Sequence, residues 1–315
     1  MNGLGMDWGG TATRWAVADE GGAILAEGAL SMAMEGHISH PANQAALSRH
    51  LQALAAAVAP MGPISAVLAG VTGLEGAAQV QAFIQESLGQ ALAVAPTQVC
   101  LGNDLLISFL DAMAPGEGYL VYAGTGSIAA HVDAQHGFHR AGGRGHLLDD
   151  AGGGYWIAKE AFRRVWREED ERPGGWERSP MAVRLFNAIG GSAWEDTVQF
   201  FYQRGRGDIG KVAVEVARSV DDDPRATLIL QKAGDELARL ADTMVARLGA
   251  RPVVVAGGAA HLHPLVFEAM CATLRSNVPC TLRRLQPQRR AAVLAAQAGF
   301  PHNTPFAKKE VHAPT

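Results

Sequence analysis

The sequence predicts an α/β protein made of two domains that begin in the same way. Two glycine-rich loops, at residues 9–13 and 124–127, each lie between apolar stretches typical of paired β-strands. After the first loop, short apolar strands alternate with segments of helical apolar spacing, which indicates a sheet with helices packed on it. The length of 315 residues suits two domains, and 48% apolar residues allow a substantial core in each.

The first domain is predicted over residues 1–114, rejoined by a C-terminal helix at 288–300. Glycine-rich turns separate its first three apolar runs, which indicates an antiparallel meander. Three hairpin strands followed by strand–helix alternation are typical of an RNase H-like domain. The predicted elements are strands at 3–6, 13–18 and 24–30, a helix at 41–58, a strand at 65–71, a helix at 76–88, a strand at 98–101 and a helix at 105–113.

The second domain is predicted over residues 115–287, as a second RNase H-like domain with a helical insertion. A proline- and glycine-rich segment at 115–118 precedes it, and strands at 119–123 and 128–132 then flank the second glycine-rich loop. The insertion spans 155–248, where apolar residues recur at helical spacing from Ile229 to Leu248. The remaining elements are a strand at 252–256, a helix at 263–273, a strand at 280–285, a helix at 288–298 and a frayed tail from Pro301.

Composition excludes several classes of protein. The net charge of −4 and the lack of a dense basic run argue against nucleic acid as a partner. The three cysteines lack paired spacing, which fits a reducing compartment and neither a disulfide framework nor a zinc site. No signal peptide or membrane-spanning stretch is visible, so we expect a cytoplasmic protein without a membrane partner. The oligomeric state stays open, a homodimer included.

The two glycine-rich loops are typical of sites that bind phosphate. Glycine lets backbone N–H groups approach an anion, and threonine hydroxyls add donors. Asp7 precedes the first loop, where a carboxylate would act on phosphate through a magnesium ion. The alternative is that Asp7 caps a turn, a common role of aspartate. Because Thr11 and Thr13 follow at a spacing suited to hydroxyl donors, we favour the functional interpretation.

Asp104 lies where a predicted strand meets a predicted helix. Taken alone, this position favours a helix cap, since carboxylates often accept the first helical amides. Together with two phosphate loops, Asp104 becomes the best candidate for the base that accepts a proton from a sugar hydroxyl. Phosphoryl transfer needs little covalent help from a protein, so such a residue would mainly orient the nucleophile.

Two further glycine-rich stretches complete the candidate site. Residues 142–154 precede a helical pattern, and we expect the helix N-terminus to offer free amides to an anion or a sugar oxygen. Asp150 is the expected polar contact of this stretch, and the alternative is a flexible linker. Gly257 and Gly258 follow a buried strand and would let a flat ring pack on the backbone, although such junctions are frequent in α/β folds.

The ordered set of motifs resembles the N-acetylglucosamine kinase family over residues 3–298. This family belongs to a BadF/BadG-type ATPase group within the sugar kinases, actin and heat-shock ATPases. The resemblance implies two RNase H-like domains with ATP and sugar in a cleft between them. It also implies ATP and Mg²⁺ as cofactors and the phosphorylation of N-acetylglucosamine to its 6-phosphate. The motifs are Asp7-Trp8-Gly9-Gly10-Thr11-Ala12-Thr13, Asn103-Asp104, Gly124-Thr125-Gly126-Ser127, the 142–154 stretch with Tyr155-Trp156-Ile157-Ala158, and Ala256-Gly257-Gly258.

The resemblance also implies a role for each motif residue. Asp7 would serve magnesium, and Asp104 would be the base. The nucleotide would be bound by Gly9, Gly10, Thr11, Thr13, Gly124, Thr125, Gly126, Gly257 and Gly258. The sugar would be bound by Asn103, Thr125, Gly143, Arg144 and Asp150.

Three departures from the family pattern lie on the sugar side. Ala151 stands where the family has a glutamate, Arg144 where it has a tryptophan, and Gly36-His37 where some members carry an asparagine. Glucosamine or another hexosamine therefore remains an alternative acceptor. An activator ATPase of the BadF type and a non-catalytic sugar-binding protein are the rival functions, since both occur on this fold.

Overall fold

The computed structural model describes residues 1–9, 12–31, 44–72, 74 and 78–297. The chain divides into two compact units. Unit 1 comprises residues 1–115, 132–138 and the chain from 285, and unit 2 comprises residues 116–131 and 139–284. Each unit contains a five-stranded sheet in the described part of the chain.

The sheet of unit 1 has the order β3-β2-β1-β4-β5. Its first three strands are antiparallel, whereas β4 runs parallel to β1 and β5 parallel to β4. The strands are β1 (Asn2–Trp8), β2 (Ala12–Ala18), β3 (Ile24–Ser31), β4 (Ile64–Val71) and β5 (Val99–Gly102). The helices are α1 (Gln44–Val58), α2 (Ala78–Leu92), α3 (Asp104–Ala112) and the last described helix, α11 (Pro287–Gln297).

Strand β1 is covered by helices on both faces. Leu4, Met6 and Trp8 are buried in one cluster with the apolar side of α1. The alternate residues Gly3 and Gly5 face α11, where an added Cβ would overlap the helix backbone near Ala292. Glycine is therefore required for α11 to pack directly on the strand.

The sheet of unit 2 repeats this topology with the order β8-β7-β6-β9-β10. Strand β6 is antiparallel to β7 and parallel to β9, which is parallel to β10. Strand β6 thus takes the place that β1 has in unit 1. The strands are β6 (Tyr119–Ala123), β7 (Ser127–Val132), β8 (Phe138–Gly142), β9 (Val253–Ala256) and β10 (Cys280–Leu282).

Most helices of unit 2 belong to the insertion between its strands. The apolar stripe predicted from residue 229 onward lies on the longest described helix. It is confirmed, since Ile229, Ala233, Leu237, Leu240 and Met244 are all buried. The helices are α4 (Gly154–Glu171), α5 (Pro180–Ile189), α6 (Trp194–Gln203), α7 (Arg206–Lys211), α8 (Ala213–Ala217), α9 (Pro224–Leu248) and α10 (Pro264–Thr273).

The predicted fold class is confirmed, with three hairpin strands followed by two parallel strands in each unit. The boundaries differ at several ends. Helix α2 extends to Leu92, four residues beyond its predicted end, and β10 stops at Leu282, three residues before its own predicted end. Of the residues that the structure describes, none belongs to a helix long and apolar enough to cross a membrane.

Candidate active site

The ends of three parallel strands bring Asp7, Thr72 and Asp104 to one edge of the unit 1 sheet. Because β1, β4 and β5 are parallel, their carboxyl ends meet at the same edge. The Thr72 N–H donates to the Trp8 carbonyl at 3.0 Å, which ties the end of β4 to the end of β1. Gly70 leaves room for α3, because an added Cβ would lie 3.1 Å from the Asp104 Cα.

The Asp104 carboxylate is held by two hydrogen bonds. The Thr72 hydroxyl donates to Oδ2 at 2.7 Å, and the Leu105 amide donates to Oδ1 at 2.9 Å. The helix cap is the neighbouring residue, since Asn103 Oδ1 accepts from the Leu106 amide at 2.7 Å. Asp104 is thus oriented without serving as the cap, and each carboxylate oxygen keeps a further acceptor position.

Asp7 is a mostly buried carboxylate near Asp104, with 22% of its side chain exposed. Burial raises its pKa to about 6, and the negative charge of Asp104 adds to the increase, whereas Arg14 opposes it. Arg14 is the partner of Asp7 across the β1–β2 ladder, with Nη1 at 3.7 Å from Oδ2. Asp7 and Asp104 therefore form a carboxylate pair that a cation would stabilise.

The donor set around this pair fits magnesium. Mg²⁺ prefers oxygen ligands and is usually held by one or two carboxylates together with substrate phosphates and water. No cluster of three or more His, Cys, Asp or Glu side chains that could hold a metal occurs in the described ranges. The backbone oxygen of Gln288 packs against Gly5, two residues before Asp7. The side-chain oxygen of Gln288 is buried and has no hydrogen-bond partner within the described residues.

The tip of the β1–β2 hairpin departs from the predicted phosphate site at two residues. The Gly9 amide donates to the Ala12 carbonyl at 3.0 Å and so closes the hairpin. Thr13 is fully buried, with Oγ1 at 2.9 Å from Nε2 of the buried His50. The prediction that Thr13 contacts phosphate is wrong for this conformation, because the strand alternation turns it into the core. Gly10, Thr11 and Gly36-His37 lie outside the described residues.

In unit 2, the glycine loop Gly124–Gly126 is clamped by the start of α4. The Gly154 and Tyr155 amides donate to the carbonyls of Gly124 and Thr125 at 2.8 and 2.9 Å. The expectation that these amides are free for a ligand is therefore wrong, since the loop takes them. The Thr125 methyl would lie 3.3 Å from a Cβ on Gly210, and its hydroxyl makes no hydrogen bond within the described residues.

Asp150 lies directly against the glycine loop. A Cβ on Gly126 would overlap its carboxylate, so the two residues approach as only glycine permits. Asp150 is 5% exposed, has a positive φ of 58° and accepts from the Gly145 amide at 3.1 Å. Burial raises the pKa of Asp150, while the Gly145 hydrogen bond, Arg206 and His146 oppose the increase.

The stretch from Gly142 to Leu148, which contacts Asp150 through the Gly145 amide, contains residues of unequal burial. Gly143 has φ +65°, and a Cβ there would overlap Ile128, so this glycine is needed to fold the stretch. Arg144 is exposed and makes no hydrogen bond or ion pair with any described residue. Leu147 and Leu148 are also exposed. The stretch therefore presents both a cation and apolar side chains to solvent.

Gly257 and Gly258 follow β9, and Gly257 packs against the end of β6, where the glycine loop begins. A Cβ on Gly257 would overlap the Ala123 backbone, and the amide of Ala259 donates to the Ala123 carbonyl at 2.8 Å. Gly257 also has φ +99°, a conformation that favours glycine. No atom of the described chain lies within 4 Å of a Cβ on Gly258, which leaves an open backbone surface there.

The structure thus gathers the predicted residues into two groups, one in each unit. Asp7, Asn103 and Asp104 lie at the edge of the unit 1 sheet, and the glycine loop, Asp150 and Gly257 lie together in unit 2. Sequence reasoning missed Thr72, Arg206 and His146. Thr72 follows a predicted parallel strand, so its position at the shared edge was a usable signal, whereas the contacts of Arg206 depend on the folding of the insertion.

Comparison with known proteins gives a family. The model of the BadF/BadG/BcrA/BcrD ATPase family matches residues 4–287. An N-acetyl-D-glucosamine kinase of Dictyostelium discoideum is 22% identical over 300 residues, covering 88% of this chain and 91% of that protein. An N-acetylmuramic acid/N-acetylglucosamine kinase of Clostridium acetobutylicum is 27% identical over 108 residues, about a third of either chain.

A solved structure supports the fold over nearly the whole chain. The structure of a putative N-acetylglucosamine kinase from Chromobacterium violaceum has a TM-score of 0.72 and 23% sequence identity. The alignment covers 93% of this chain and 98% of that one. At this level of identity the likeness concerns the fold, and function has to be argued from the site residues.

Proposed function

We infer the function of this chain from its family, because the chain belongs to the BadF/BadG/BcrA/BcrD ATPase family. We propose that it is a sugar kinase that transfers the γ-phosphoryl group of ATP to an amino sugar. The proposed acceptor is N-acetylglucosamine and the proposed product its 6-phosphate. The names of the Dictyostelium discoideum and Chromobacterium violaceum relatives support this choice.

The observation that carries the proposal is the orientation of Asp104. Its carboxylate accepts hydrogen bonds from the Thr72 hydroxyl and the Leu105 amide and lies near Asp7. A fixed carboxylate with a free acceptor position can receive the proton of a sugar hydroxyl as that oxygen attacks phosphorus. Thr72 would keep this oxygen pointed at the substrate, so Asp104 serves as base and orienting group together.

Asp7 would hold magnesium in this reaction. Burial and the charge of Asp104 raise the pKa of Asp7 and so disfavour its ionised form. A bound cation would stabilise that ionised form. Bound magnesium would neutralise phosphate charge that two partly buried carboxylates would otherwise repel. Gly10 and Thr11 are proposed as the phosphate contacts of the same hairpin, whereas the Gly9 amide donates to the Ala12 carbonyl.

Unit 2 would bind the nucleotide and part of the sugar. Thr125 is proposed as a phosphate or sugar contact because its hydroxyl has no partner in the described part of the chain. Gly124 and Gly126 would let the backbone approach phosphate, and the open backbone at Gly258, with Gly257, would lie against adenosine. For the sugar, the proposed contacts of this unit are Asp150, Gly143 and Arg144.

The surface near Asp150 supports an N-acetylated sugar as the acceptor. The charges there are of both signs, since Arg206 and His146 lower the pKa of the Asp150 carboxyl whereas Asp149 raises it. The exposed Leu147 and Leu148 offer apolar surface that the acetyl methyl group could contact.

Two exposed arginines favour a second acceptor class, an amino sugar that carries a carboxylate. Arg144 is exposed and unpaired within the described residues, and Arg206 lies near enough to act on Asp150. An arginine fork matches a carboxylate in two parallel hydrogen bonds. The Clostridium acetobutylicum relative, named for N-acetylmuramic acid as well as N-acetylglucosamine, supports testing this class.

The rival functions differ in what they require. An activator ATPase would need thiolates for an iron–sulfur cluster, and in the structure Cys100 lies in unit 1 whereas Cys271 and Cys280 lie in unit 2. A binding protein would need no catalytic base, so the oriented Asp104 favours an enzyme.

A coupled assay of ADP release tests the proposal. We expect ADP release from Mg-ATP to depend on added sugar, with N-acetylglucosamine above N-acetylmuramic acid and glucosamine, and glucose weakest. Glu20→Gln, an exposed acidic residue of unit 1, is the matched control for Asp104→Asn. ADP release that is equally fast without sugar, or visible absorption of the anaerobic protein, would favour the activator ATPase.

A further inference from the structure

A buried histidine of unit 1 contacts the last pair of residues in the β1–β2 ladder. Trp8 and Thr13 are directly opposite each other in this antiparallel pair, so their side chains point to the same face of the sheet. His50 of α1 contacts both of them. Its Nε2 lies 2.9 Å from Thr13 Oγ1, and its ring centroid lies 5.7 Å from that of Trp8. Helix α1 is therefore joined to the end of the hairpin by one polar and one aromatic contact.

This contact is closed off from solvent. His50 is 6% exposed, Trp8 2% and Thr13 0%. Trp8 belongs to the same apolar cluster as Leu47 and Leu51, which flank His50 on α1. A threonine hydroxyl can donate or accept, so it suits the imidazole Nε2 in either tautomer. In apolar surroundings such a hydrogen bond is costly to leave unmade, so it constrains how the strand end lies on the helix.

The next pair in the ladder carries the candidate magnesium ligand. Asp7 is opposite Arg14, one step from the Trp8 pair. Because neighbouring residues of a strand point to opposite faces, the Asp7 carboxylate lies on the face away from His50. His50 can therefore act on Asp7 only through the strand. The peptide unit between Asp7 and Trp8 is planar and stiff, so a tilt of Trp8 moves the carboxylate as well.

We propose that His50 is a positioning residue, which holds the end of β1 where Asp7 can bind the magnesium of Mg-ATP. This inference rests on the proposed role of Asp7 as the magnesium ligand. The other residues of β1 that face α1, Leu4 and Met6, make apolar contacts, which have no preferred direction. The hydrogen bond to Thr13 does have a preferred distance and angle. His50 thus fixes the position of the strand end, while its apolar neighbours stabilise the packing.

Calorimetry with a non-hydrolysable ATP analogue tests this role, with magnesium and with a chelator in its place. His50→Leu keeps a buried apolar side chain and removes Nε2. We expect the Kd of the analogue with magnesium to rise about 5- to 10-fold, as for one lost neutral hydrogen bond, and the Kd without magnesium to change little. His50→Gln, whose amide can replace Nε2, should restore most of the affinity. Gln52→Leu, at an exposed position of the same helix, is the matched control and should bind like the wild type.

A double variant separates positioning from stability. His50→Leu combined with Thr13→Val replaces both members of the hydrogen bond by apolar side chains. Chemical denaturation should show that most of the stability lost in His50→Leu returns, because neither partner is left behind. Affinity for the analogue with magnesium should stay as low as in His50→Leu, because the directional contact is still missing. A histidine with a merely structural role would recover stability and affinity together.

The outcomes against the inference are specific to His50. A wild-type Kd in His50→Leu, an equal rise with and without magnesium, or restored affinity in the double variant would each overturn it. If His50→Leu does not fold, Thr13→Val supplies the same comparison, with Thr13→Ser as the variant that restores binding. None of these measurements needs a sugar, so a wild-type protein that phosphorylates no sugar would overturn the proposed function and leave this inference standing. A wild-type Kd that does not depend on magnesium would overturn both.

Discussion

Units 1 and 2 share one sheet topology and differ in the residues at the same strand ends. In unit 1 the central strand and its two parallel neighbours lead into Asp7, Thr72 and Asp104. In unit 2 the corresponding central strand and its neighbour lead into Gly124 and Gly257. The sheet edge of unit 1 therefore presents carboxylates, whereas that of unit 2 presents glycine backbone without side chains. A repeated fold thus supplies equivalent positions, whereas the residues placed there decide the chemistry.

The largest effect on stability is expected from Gly257→Ala, which tests the need for bare backbone in unit 2. The new Cβ would overlap the Ala123 backbone, and φ +99° disfavours alanine. We expect a loss of about 3 kcal/mol or more in the free energy of unfolding, measured by chemical denaturation.

Gly258→Ala is the matched control, since a Cβ there meets no described atom within 4 Å. It should change stability by less than about 0.5 kcal/mol and raise the KM for ATP. Equal losses of stability in the two variants would contradict the account of this turn.

Removing the Thr72 hydroxyl tests the carboxylate edge of unit 1. Thr72→Val keeps the shape of the side chain and deletes the 2.7 Å hydrogen bond to Asp104. A hydrogen bond to a charged group contributes about 1.5–3 kcal/mol, so kcat should fall roughly 10- to 100-fold. Steady-state kinetics should show little change in the KM for ATP, and Thr72→Ser should restore most of kcat. A Thr72→Ser enzyme as slow as Thr72→Val would mean that the hydroxyl does not orient Asp104.

Asp7→Asn is expected to stabilise the metal-free protein at neutral pH. The pKa of Asp7 in the folded state is about 6 against an ordinary value of 3.8. The folded protein therefore binds the Asp7 proton more tightly than the unfolded chain does. The stability that this proton contributes is fully present below pH 3.8 and is lost as pH rises through about 6. The variant should exceed the wild type by on the order of 2–3 kcal/mol above pH 7.

Denaturation with urea and a chelator, from pH 5 to pH 8, measures this difference. The gap between Asp7→Asn and the wild type should widen with rising pH and level off above pH 7, while magnesium-dependent turnover of the variant is lost. A gap that stays constant with pH would show that Asp7 ionisation does not destabilise the carboxylate edge.

The smallest effect is expected from Arg206→Gln, which tests charge near Asp150. Arg206 lowers the pKa of the Asp150 carboxyl from an exposed position, so solvent screening limits its influence. We expect kcat/KM for a carboxylate-bearing amino sugar to fall a few-fold relative to N-acetylglucosamine. Arg218→Gln, an exposed arginine paired with Glu215, is the control. An unchanged ranking of sugars in both variants would remove Arg206 from the acceptor site.

Sequence patterns predicted the strands of both units because hairpin turns and apolar spacing are local signals. The role of Thr13 was predicted wrongly, since only the paired strands reveal that it turns inward toward His50. The amides of Gly154 and Tyr155 were expected to be free, and the contact that occupies them joins segments 30 residues apart. Sequence spacing near Asp104 favoured a cap at that position, yet Asn103 provides it. Local sequence patterns therefore did not predict the contacts between segments that are distant in the chain.

The most direct test of the account is Asp104→Asn, measured for catalysis and for nucleotide binding in the same preparation. The variant keeps the shape of the side chain and removes the basic oxygen that Thr72 orients. We predict that kcat for N-acetylglucosamine phosphorylation falls by about 10²- to 10⁴-fold, while calorimetry gives an unchanged Kd for a non-hydrolysable ATP analogue with magnesium. A folded Asp104→Asn protein with near wild-type kcat would contradict the assignment of the base to unit 1.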